Sequence, residues 1–354
     1  MAPSKGFALT SVGERAYRLI RPLAFRLPAE AVHDAAMQFG RAVTAVPPVW
    51  RALNDRQQRL NQDSAVTLAG VRYPNRVGVA AGLDKNAVAL GLWAAVGFGH
   101  AEIGTVTPKP QPGNPKPRIF RVPDQQALIN RMGFPNHGAD QIARRLHRLR
   151  DRGGWPSMTV GVNVGKNKWT PNADAHLDYR YVVRTMASLA DYFVLNVSSP
   201  NTPNLRELQS HDALARTVEA VREVAGGKPV WVKVAPDGDE AQVDALIRAL
   251  QSIEIDGVVA TNTTVSRPPG LGVDESGGLS GRPLAELSLN WLSLLKAETD
   301  LPIASVGGIM TTRDATDRLD AGADLVQVYT GLVYNGPAWV ADINRAALTA
   351  HPRA

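Results

Sequence analysis

The chain has 354 residues, of which 44% are hydrophobic and 20% charged, so it is long enough for one large or two small domains with a sizeable core. It contains no cysteine, which excludes disulfides, thiolate metal sites and a cysteine nucleophile. No uncharged stretch reaches the roughly 18 apolar residues of a membrane span, and the N-terminus lacks a signal-peptide pattern.

The net charge of +6 is concentrated near the N-terminus. Residues 1–60 carry nine Lys or Arg residues and four acids, which leaves the rest of the chain almost neutral. A basic end on a neutral body predicts an acidic surface as partner, either anionic lipid or nucleic acid.

The basic region predicts two amphipathic helices, over 14–27 and 28–43. Pro22 is expected to bend the first helix, and Pro47-Pro48 ends the second. The apolar stripes consist of Ala16, Ile20, Leu23 and Leu27 in the first helix and Val32, Ala35, Ala36, Phe39 and Val43 in the second. Two such helices fit a membrane interface, and the alternative is a pair that caps a domain.

Beyond a hairpin over 66–77, strand-like and helix-like segments alternate. The predicted strands cover 77–81, 101–106, 158–163, 192–196, 230–234, 257–260, 303–306 and 325–328. The predicted helices cover 87–96, 138–150, 177–189, 210–225, 239–251, 285–297 and 312–321, with a second hairpin inserted over 119–129. Alternation of this kind implies a parallel sheet.

Eight strand–helix units over roughly 250 residues have the size of a closed (β/α)8 barrel, the TIM barrel. The predicted fold is therefore α/β, with a barrel over 61–354 and a small helical extension over 1–60. An open, doubly wound sheet is the alternative, although Gly-x-Gly-x-x-Gly is absent after the first strand.

Small or polar residues follow nearly every predicted strand at its C-terminal end, the face on which barrel active sites lie. The most polar of these segments is 196–202, Asn-Val-Ser-Ser-Pro-Asn-Thr, which follows an apolar strand. Its amides and hydroxyls suit a flat, polar ligand, and the plain alternative is an ordinary polar turn.

Two further signals lie at the same strand ends. Glycines at 307–308 and 331 follow the seventh and eighth strands, where barrels commonly bind phosphate, and 277–281 predicts a third Gly-rich loop. Lys85 and Lys233 also end strands, and a buried lysine needs an anionic partner. A reduced flavin would supply that partner, and a Schiff base is the other common use. The histidines and acids show no metal-ligand spacing.

Four segments together resemble the dihydroorotate dehydrogenase family: Ala-Ala-Gly-Leu-Asp-Lys-Asn at 80–86, Asn-Arg-Met-Gly-Phe at 130–134, the segment 196–202, and Gly-Gly-Leu-Ser-Gly at 277–281. The resemblance extends from about residue 14 to 345. The basic helical N-terminus and the serine in segment 196–202 resemble the class 2 branch, which is membrane-associated and uses a quinone. One departure is Pro135, where the family usually has asparagine.

The resemblance implies FMN as cofactor and Ser199 as the base that takes the C5 proton of dihydroorotate. Lys85 would reach substrate and flavin, and Lys233 would stabilise the reduced flavin. The implied cofactor-binding residues are Ala81, Gly82, Leu83, Asp84, Lys85, Thr105, Asn163, Asn196, Lys233, Thr261, Gly281, Gly308, Tyr329 and Thr330. The implied substrate-binding residues are Lys85, Asn130, Arg131, Met132, Gly133, Phe134, Asn196, Asn201, Asn262 and Thr263.

The resemblance also implies a quinone side that contains His33 and Arg121. The expected partners are dihydroorotate or orotate, a membrane quinone and an anionic lipid surface, with no nucleic acid and no obligate protein partner. The expected location is peripheral, on the cytoplasmic face of the inner membrane.

Three rival functions are compatible with parts of the sequence. They are another FMN-dependent barrel oxidoreductase such as a tRNA dihydrouridine synthase, a phosphate-binding barrel with Lys233 as a Schiff base, and a membrane module with an inactive barrel. The basic helices lack the interleaved aromatic residues of a nucleic-acid stacking platform, which disfavours the tRNA enzyme.

Overall fold

The computed structural model describes residues 5–350, so the outermost residues of the two predicted regions lie outside the described part of the chain. The N-terminal region consists of helices α1 Lys5–Arg26, α2 Ala29–Thr44 and α3 Pro47–Asn61. The first two correspond to the predicted helices over 14–27 and 28–43, although α1 begins nine residues earlier, and Pro22 lies inside α1. No helix is predicted over 47–61, but α3 begins at Pro47 because proline is tolerated in the first turn of a helix.

The remaining elements alternate as predicted. In chain order the strands are β1 Val66–Leu68, β2 Val71–Tyr73, β3 Val77–Val79, β4 His100–Val106, β5 Ile119–Val122, β6 Ala127–Asn130, β7 Thr159–Val164, β8 Tyr192–Asn196, β9 Val230–Val234, β10 Gly257–Ala260, β11 Gly278–Gly281, β12 Ile303–Val306 and β13 Leu325–Val328. The remaining helices are α4 Leu90–Val96, α5 Ala139–Asp151, α6 Ala175–Met186, α7 His211–Arg222, α8 Glu240–Ser252, α9 Ala285–Glu298, α10 Thr312–Asp320, α11 Thr330–Asn335 and α12 Trp339–Ala350.

The (β/α)8 barrel is confirmed. Its parallel strands run in the order β3-β4-β7-β8-β9-β10-β12-β13, and β13 pairs with β3 to close the sheet. Outward-facing side chains pack beneath the helices in one continuous core. A second cluster fills the barrel interior, and the β1–β2 hairpin covers its lower end with Leu68 and Tyr73.

Aromatic rings fill the lower half of the barrel at positions where the neighbouring strand carries glycine. Tyr192 pairs in register with Gly161, and Trp231 pairs with Gly257. A Cβ atom at either glycine would lie within 2.5 Å of the neighbouring ring, so only glycine leaves room for these side chains. The interior is therefore packed solid below and leaves space only above, at the C-terminal ends of the strands.

Helix α4 begins at Leu90, three residues later than its predicted start at 87. The cause is Asp84, whose buried carboxylate accepts hydrogen bonds from the backbone nitrogens of Val88 and Ala89, each at 2.8 Å. These bonds keep the segment before Leu90 in a loop, because the backbone nitrogens of its last two residues bond to a side chain instead of to carbonyls of a preceding helical turn.

The Gly-rich segment 277–281, predicted as a loop, is largely a strand. Strand β11 pairs antiparallel with β6, and β6 pairs with β5, so the inserted hairpin becomes a three-stranded sheet. Glycine is needed here for close packing, since a Cβ atom at Gly278 would lie 1.9 Å from Thr263 Oγ1. The prediction was wrong because the pairing partner is about 150 residues away in the sequence.

Candidate active site

A cavity of about 1090 Å³, including its open mouth, lies at the C-terminal ends of the barrel strands. The sheet formed by β5, β6 and β11 contributes Ile119, Leu128 and Ser280 to its wall. The predicted residues that line the cavity are Ala81, Gly82, Lys85, Thr105, Asn130, Met132, Gly133, Phe134, Asn196, Ser199, Asn201, Lys233, Thr261, Asn262, Thr263, Gly281, Gly308, Tyr329 and Thr330. Its size and polar lining are those of a small-molecule site.

Four of the predicted cofactor- and substrate-binding residues do not line this cavity, and neither do His33 and Arg121 of the predicted quinone side. Asn163 lies just behind the wall and accepts hydrogen bonds from Thr105 Oγ1 at 2.5 Å and from Asn196 Nδ2 at 3.1 Å. Leu83 is part of the core, and Asp84 bonds the loop that precedes α4. Arg131 forms an ion pair with Glu275 at 2.5 Å, outside the cavity.

Side-chain amides dominate one side of the cavity. Asn262 Nδ2 donates to Ser198 Oγ at 3.0 Å and to Asn196 Oδ1 at 3.3 Å, while Asn201 Nδ2 donates to Asn130 Oδ1 at 3.2 Å. These amides come from the end of β8, from the loops that follow β8 and β10, and from β6 in the sheet over the mouth. They present donors and acceptors in one place, which is what recognition of a flat ring with imide-like edges requires.

Ser199 lies in this amide cluster and is buried. Its Oγ accepts a hydrogen bond from the backbone nitrogen of Asn201 at 3.2 Å, which fixes the turn at Pro200. No carboxylate or histidine lines the cavity beside it, so its hydroxyl has no adjacent general base among the described lining residues.

Asn114, which no sequence motif singles out, closes the amide cluster from outside. Its Nδ2 donates to the backbone oxygens of Arg131 at 3.0 Å and Asn201 at 3.1 Å. This single side chain therefore joins the segment 130–134 to the Ser199 loop. The sequence contains no signal for this role of Asn114, because the two segments that it joins are about 70 residues apart.

A second unpredicted device, the Arg206–Asp237 clamp, joins three loops at the barrel mouth. Arg206 donates to the backbone oxygen of Ser198 at 3.2 Å and to Asp237 Oδ2 at 2.8 Å. Asp237 in turn accepts from the hydroxyl of Thr264 and from the backbone nitrogen of Val265. The loops after β8, β9 and β10 therefore share one charge-assisted network beside Ser199.

The opposite end of the cavity is lined by backbone of 307–308 and by hydroxyls. Ser280 Oγ lies 2.8 Å from Thr330 Oγ1. The carbonyl of Gly307 faces outward, where it accepts from Ser288 Oγ at 2.7 Å and from Arg318 at 3.2 Å. Because a trans peptide is planar, the nitrogen of Gly308 then faces the cavity, as an anion-binding loop requires.

Two lysines line the cavity. Lys85 donates to the backbone oxygen of Gly82 at 2.5 Å, and burial lowers its pKa to about 8, with the charge of Arg118 acting in the same direction. Lys233 lies in the floor, with its side chain 6% exposed. Both lysines therefore offer amino groups that can pair with negative charge on a molecule bound in the cavity.

Helix α2 packs beside this cavity through a partly buried ion pair. Glu30 pairs with Arg118 at 2.8 Å, and the hydrogen bonds from Arg118 and Lys116 lower its pKa although burial opposes them. His33, one turn along α2, has its pKa lowered to about 3 by burial and by the charge of Lys85, so it is neutral at pH 7. Arg121 donates to the backbone oxygen of Leu27 at 2.7 Å.

The N-terminal helices expose a set of large apolar side chains, called here the apolar face: Leu19, Ile20, Leu23, Leu27, Phe39, Val46, Val49 and Leu53. Leu19 is 78% exposed and Phe39 is 63% exposed. Among residues 5–350, no helix is long and apolar enough to cross a membrane. An apolar area of this kind is typical of an interaction site with a membrane or a protein.

The fold and cavity define a barrel enzyme that acts on a small polar molecule. The family model described as dihydroorotate dehydrogenase matches residues 64–349. Proteins named dihydroorotate dehydrogenase (quinone) match from Mycobacterium bovis, 47% identical over 93% of this chain and 92% of the relative, and from Verminephrobacter eiseniae, 46% identical over 93% and 94%. The chain therefore belongs to the dihydroorotate dehydrogenase family.

Solved structures agree with this assignment. The crystal structure of DHODH in complex with ferulenol from Eimeria tenella superposes with a TM-score of 0.80, at 36% identity over 90% of each chain. The ligand-free type from the same organism has a TM-score of 0.76 over 85% of this chain and 94% of that one.

The clamp leads to the first prediction. Asp237→Asn keeps the shape but removes the charge, so the Ser199 loop and the loop over 263–277 are expected to open more often. Amide hydrogen exchange in both loops should accelerate about tenfold, which corresponds to about 1.4 kcal/mol of lost local stability.

The matched control is Asp256→Asn. Asp256 pairs with Arg222 at 3.0 Å and lies before β10, at the other end of the barrel. The Asp256→Asn variant should leave amide hydrogen exchange in both loops unchanged. Equal acceleration in the two variants would show that the clamp has no specific role at the mouth.

Proposed function

We propose that this protein is a quinone-dependent dihydroorotate dehydrogenase, which oxidises dihydroorotate to orotate in pyrimidine biosynthesis. The observation that carries this function is the convergence of Ser199, four asparagine amides and two lysines in one barrel cavity of a chain from this family. The family assignment favours this reaction over a tRNA dihydrouridine synthase. The proposal includes no nucleic-acid partner and no obligate protein partner.

We further propose FMN as the cofactor, since the cavity suits both of its ends. Gly308, Thr330 and Ser280 supply backbone and hydroxyl donors for a phosphate, and Lys233 lies in the floor for the ring system. Thr105, Asn196 and Thr261 would hold the ring from the strand ends, with Ala81 and Gly82 beside it and Asn163 supporting from behind. When bound, FMN would accept a hydride from C6 of dihydroorotate and pass the electrons on to a quinone.

Ser199 would take the proton from C5 of dihydroorotate. A serine hydroxyl is a weak base at neutral pH, so its own proton must pass onward through water or a threonine. Thr202 is buried in the same loop and is a candidate for this step. Asn130, Asn196, Asn201 and Asn262 would fix the pyrimidine ring through amide hydrogen bonds, with Thr263 beside them.

The lysines would have separate tasks. Lys85 reaches the cavity from the loop after β3, next to Gly82, where it would contact the substrate carboxylate. Lys233 would lie beneath the ring system and stabilise the negative charge that reduction creates. Supplying such a charge is how a protein tunes the electronics of its cofactor.

The N-terminal helices would bring the protein to the membrane as a peripheral protein. The apolar face would enter the interface, and Arg15, Arg18 and Arg26 would meet anionic lipid headgroups. A quinone would reach the cavity along α2, past His33 and with Arg121 at the hairpin side. The surface concerned is the cytoplasmic face of the inner membrane.

The absorption spectrum of the purified protein tests the function directly. A flavin spectrum is expected, bleached by dihydroorotate without oxygen and restored by a quinone. Denaturation should release a yellow monophosphate. Release of FAD, or a colourless protein, would contradict the cofactor, and a flavin unaffected by dihydroorotate would contradict the substrate.

The second prediction concerns the base. Ser199→Ala should slow flavin reduction by dihydroorotate about 10²–10⁴-fold, the usual contribution of a positioned base, while orotate affinity changes little. Stopped-flow reduction and orotate titration measure the two effects.

The adjacent Ser198→Ala serves as the comparison. Ser198 Oγ accepts from Asn262 Nδ2, so this change should weaken orotate binding more than it slows proton removal. If both serine variants slow reduction equally, Ser199 has no special role as base.

The third prediction concerns the membrane. Deleting residues 1–45 should preserve a single turnover of flavin reduction but abolish turnover with a long-chain quinone and binding to anionic vesicles. Because the deletion also removes the Glu30–Arg118 pair, Leu23→Gln with Phe39→Gln provides a variant that keeps α1 and α2 folded.

Leu177→Gln is the matched control, since Leu177 is 54% exposed on α6, away from the apolar face. Vesicle binding should fall about tenfold or more in the double variant, weaken with salt in the intact protein, and stay unchanged in the control. Full quinone turnover in the truncated protein would contradict a role of these helices in quinone access and would show that they only cap the barrel.

A further inference from the structure

Glu102 is a charged residue in the barrel interior that the proposed reaction does not use. Its side chain is 0% exposed and lies on β4, below the cavity. Neither the motifs nor the polar strand ends point to it, because it lies inside an apolar strand. A buried carboxylate is costly unless it is paired and hydrogen-bonded, so its partners indicate what it does.

Those partners come from three other barrel strands. Oε1 accepts from Asn163 Nδ2 at 2.6 Å, and Oε2 accepts from Gln327 Nε2 at 2.8 Å. Oε1 also lies 3.8 Å from Lys233 Nζ. The carboxylate therefore lies directly behind two groups, Lys233 and Asn163, that face or support the floor of the cavity.

The hydrogen bonds leave little freedom to this carboxylate. Asn163 cannot turn away, because its Oδ1 is engaged by Thr105 and Asn196. Lys233 lines the cavity, whereas Glu102 does not, so a molecule on the floor would contact the ammonium and not the carboxylate. Two opposite charges 3.8 Å apart partly cancel each other at the distance of a bound ligand.

We propose that Glu102 is a positioning residue that acts on bound FMN through Lys233. It holds the ammonium under the cavity floor and offsets part of its positive charge, which limits the stabilisation of the reduced flavin. The flavin then releases its electrons to the quinone more readily than it would above an unpaired lysine. This inference rests on the proposed function, specifically on FMN occupying the floor.

Glu102→Gln tests the offset with little change in shape. The Oε1 atom of Gln327 has no partner within the described part of the chain, so its amide can turn over and accept from the new side-chain nitrogen. The oxygen of the new amide still accepts from Asn163. The variant therefore removes the charge but keeps the hydrogen-bonded floor.

The readouts are the midpoint potential of the bound FMN and its affinity for sulfite, which binds flavins more tightly in positive surroundings. In Glu102→Gln the potential should become more positive and sulfite should bind about tenfold more tightly. Lys233→Met leaves the buried Glu102 carboxylate without its cation, and a buried unpaired carboxylate takes up a proton. In this background, adding Glu102→Gln should therefore change both quantities much less, because it no longer removes a charge.

Asp191→Asn is the matched control, because its carboxylate accepts from the nitrogen of Val160 at 2.8 Å at the far end of the barrel. It should leave potential and sulfite affinity unchanged. An unchanged or more negative potential in Glu102→Gln would overturn the inference, and so would an equal rise without Lys233.

Failure of this inference is distinct from failure of the proposed function. A protein that carries no FMN, or whose FMN is not reduced by dihydroorotate, contradicts the function. A protein whose FMN is reduced by dihydroorotate but responds to Glu102→Gln as in the control contradicts the role of Glu102 alone.

Discussion

The pairing of β13 with β3 is the constraint on which the rest of the structure depends, because it closes the barrel. Closure brings the C-terminal ends of eight strands, spread over about 250 residues of sequence, around one mouth. The lower interior is filled by rings such as Tyr192 and Trp231, so the only large space in the barrel described here lies above them. Residues far apart in the sequence thereby become walls of one cavity.

Closure alone does not fix the loops that carry the chemistry. The Arg206–Asp237 clamp joins three of them, and Asn114 joins a fourth segment to the Ser199 loop. Few of these contacts touch the cavity directly. They position the side chains that line the cavity, and a small displacement of a catalytic group lowers the reaction rate strongly. Below the floor, Glu102 does the same for Lys233 and Asn163.

The N-terminal helices are linked to the same cavity by electrostatics as well as packing. The Glu30–Arg118 pair fixes α2 against the loop that leads into the covering sheet, and His33 lies close enough to Lys85 to feel its charge. The outer side of these helices carries the apolar face. Helix α2 therefore connects the cavity, which Glu30 and His33 approach, with the exposed apolar face, to which Phe39 belongs.

The sequence by itself determined the barrel, the basic amphipathic helices and most of the cavity lining, because each depends on local periodicity or on short motifs at strand ends. Only the tertiary structure decided the features that depend on pairing across long separations. Segment 277–281 is largely a strand because β6 lies beside it, and Asp84 bonds the loop before α4 instead of lining the cavity. Glu102, Asn114 and Asp237 acquire their positions only when distant strands and loops meet. No local pattern records such contacts, since a charge inside an apolar strand is explained only by the partner that folding places next to it.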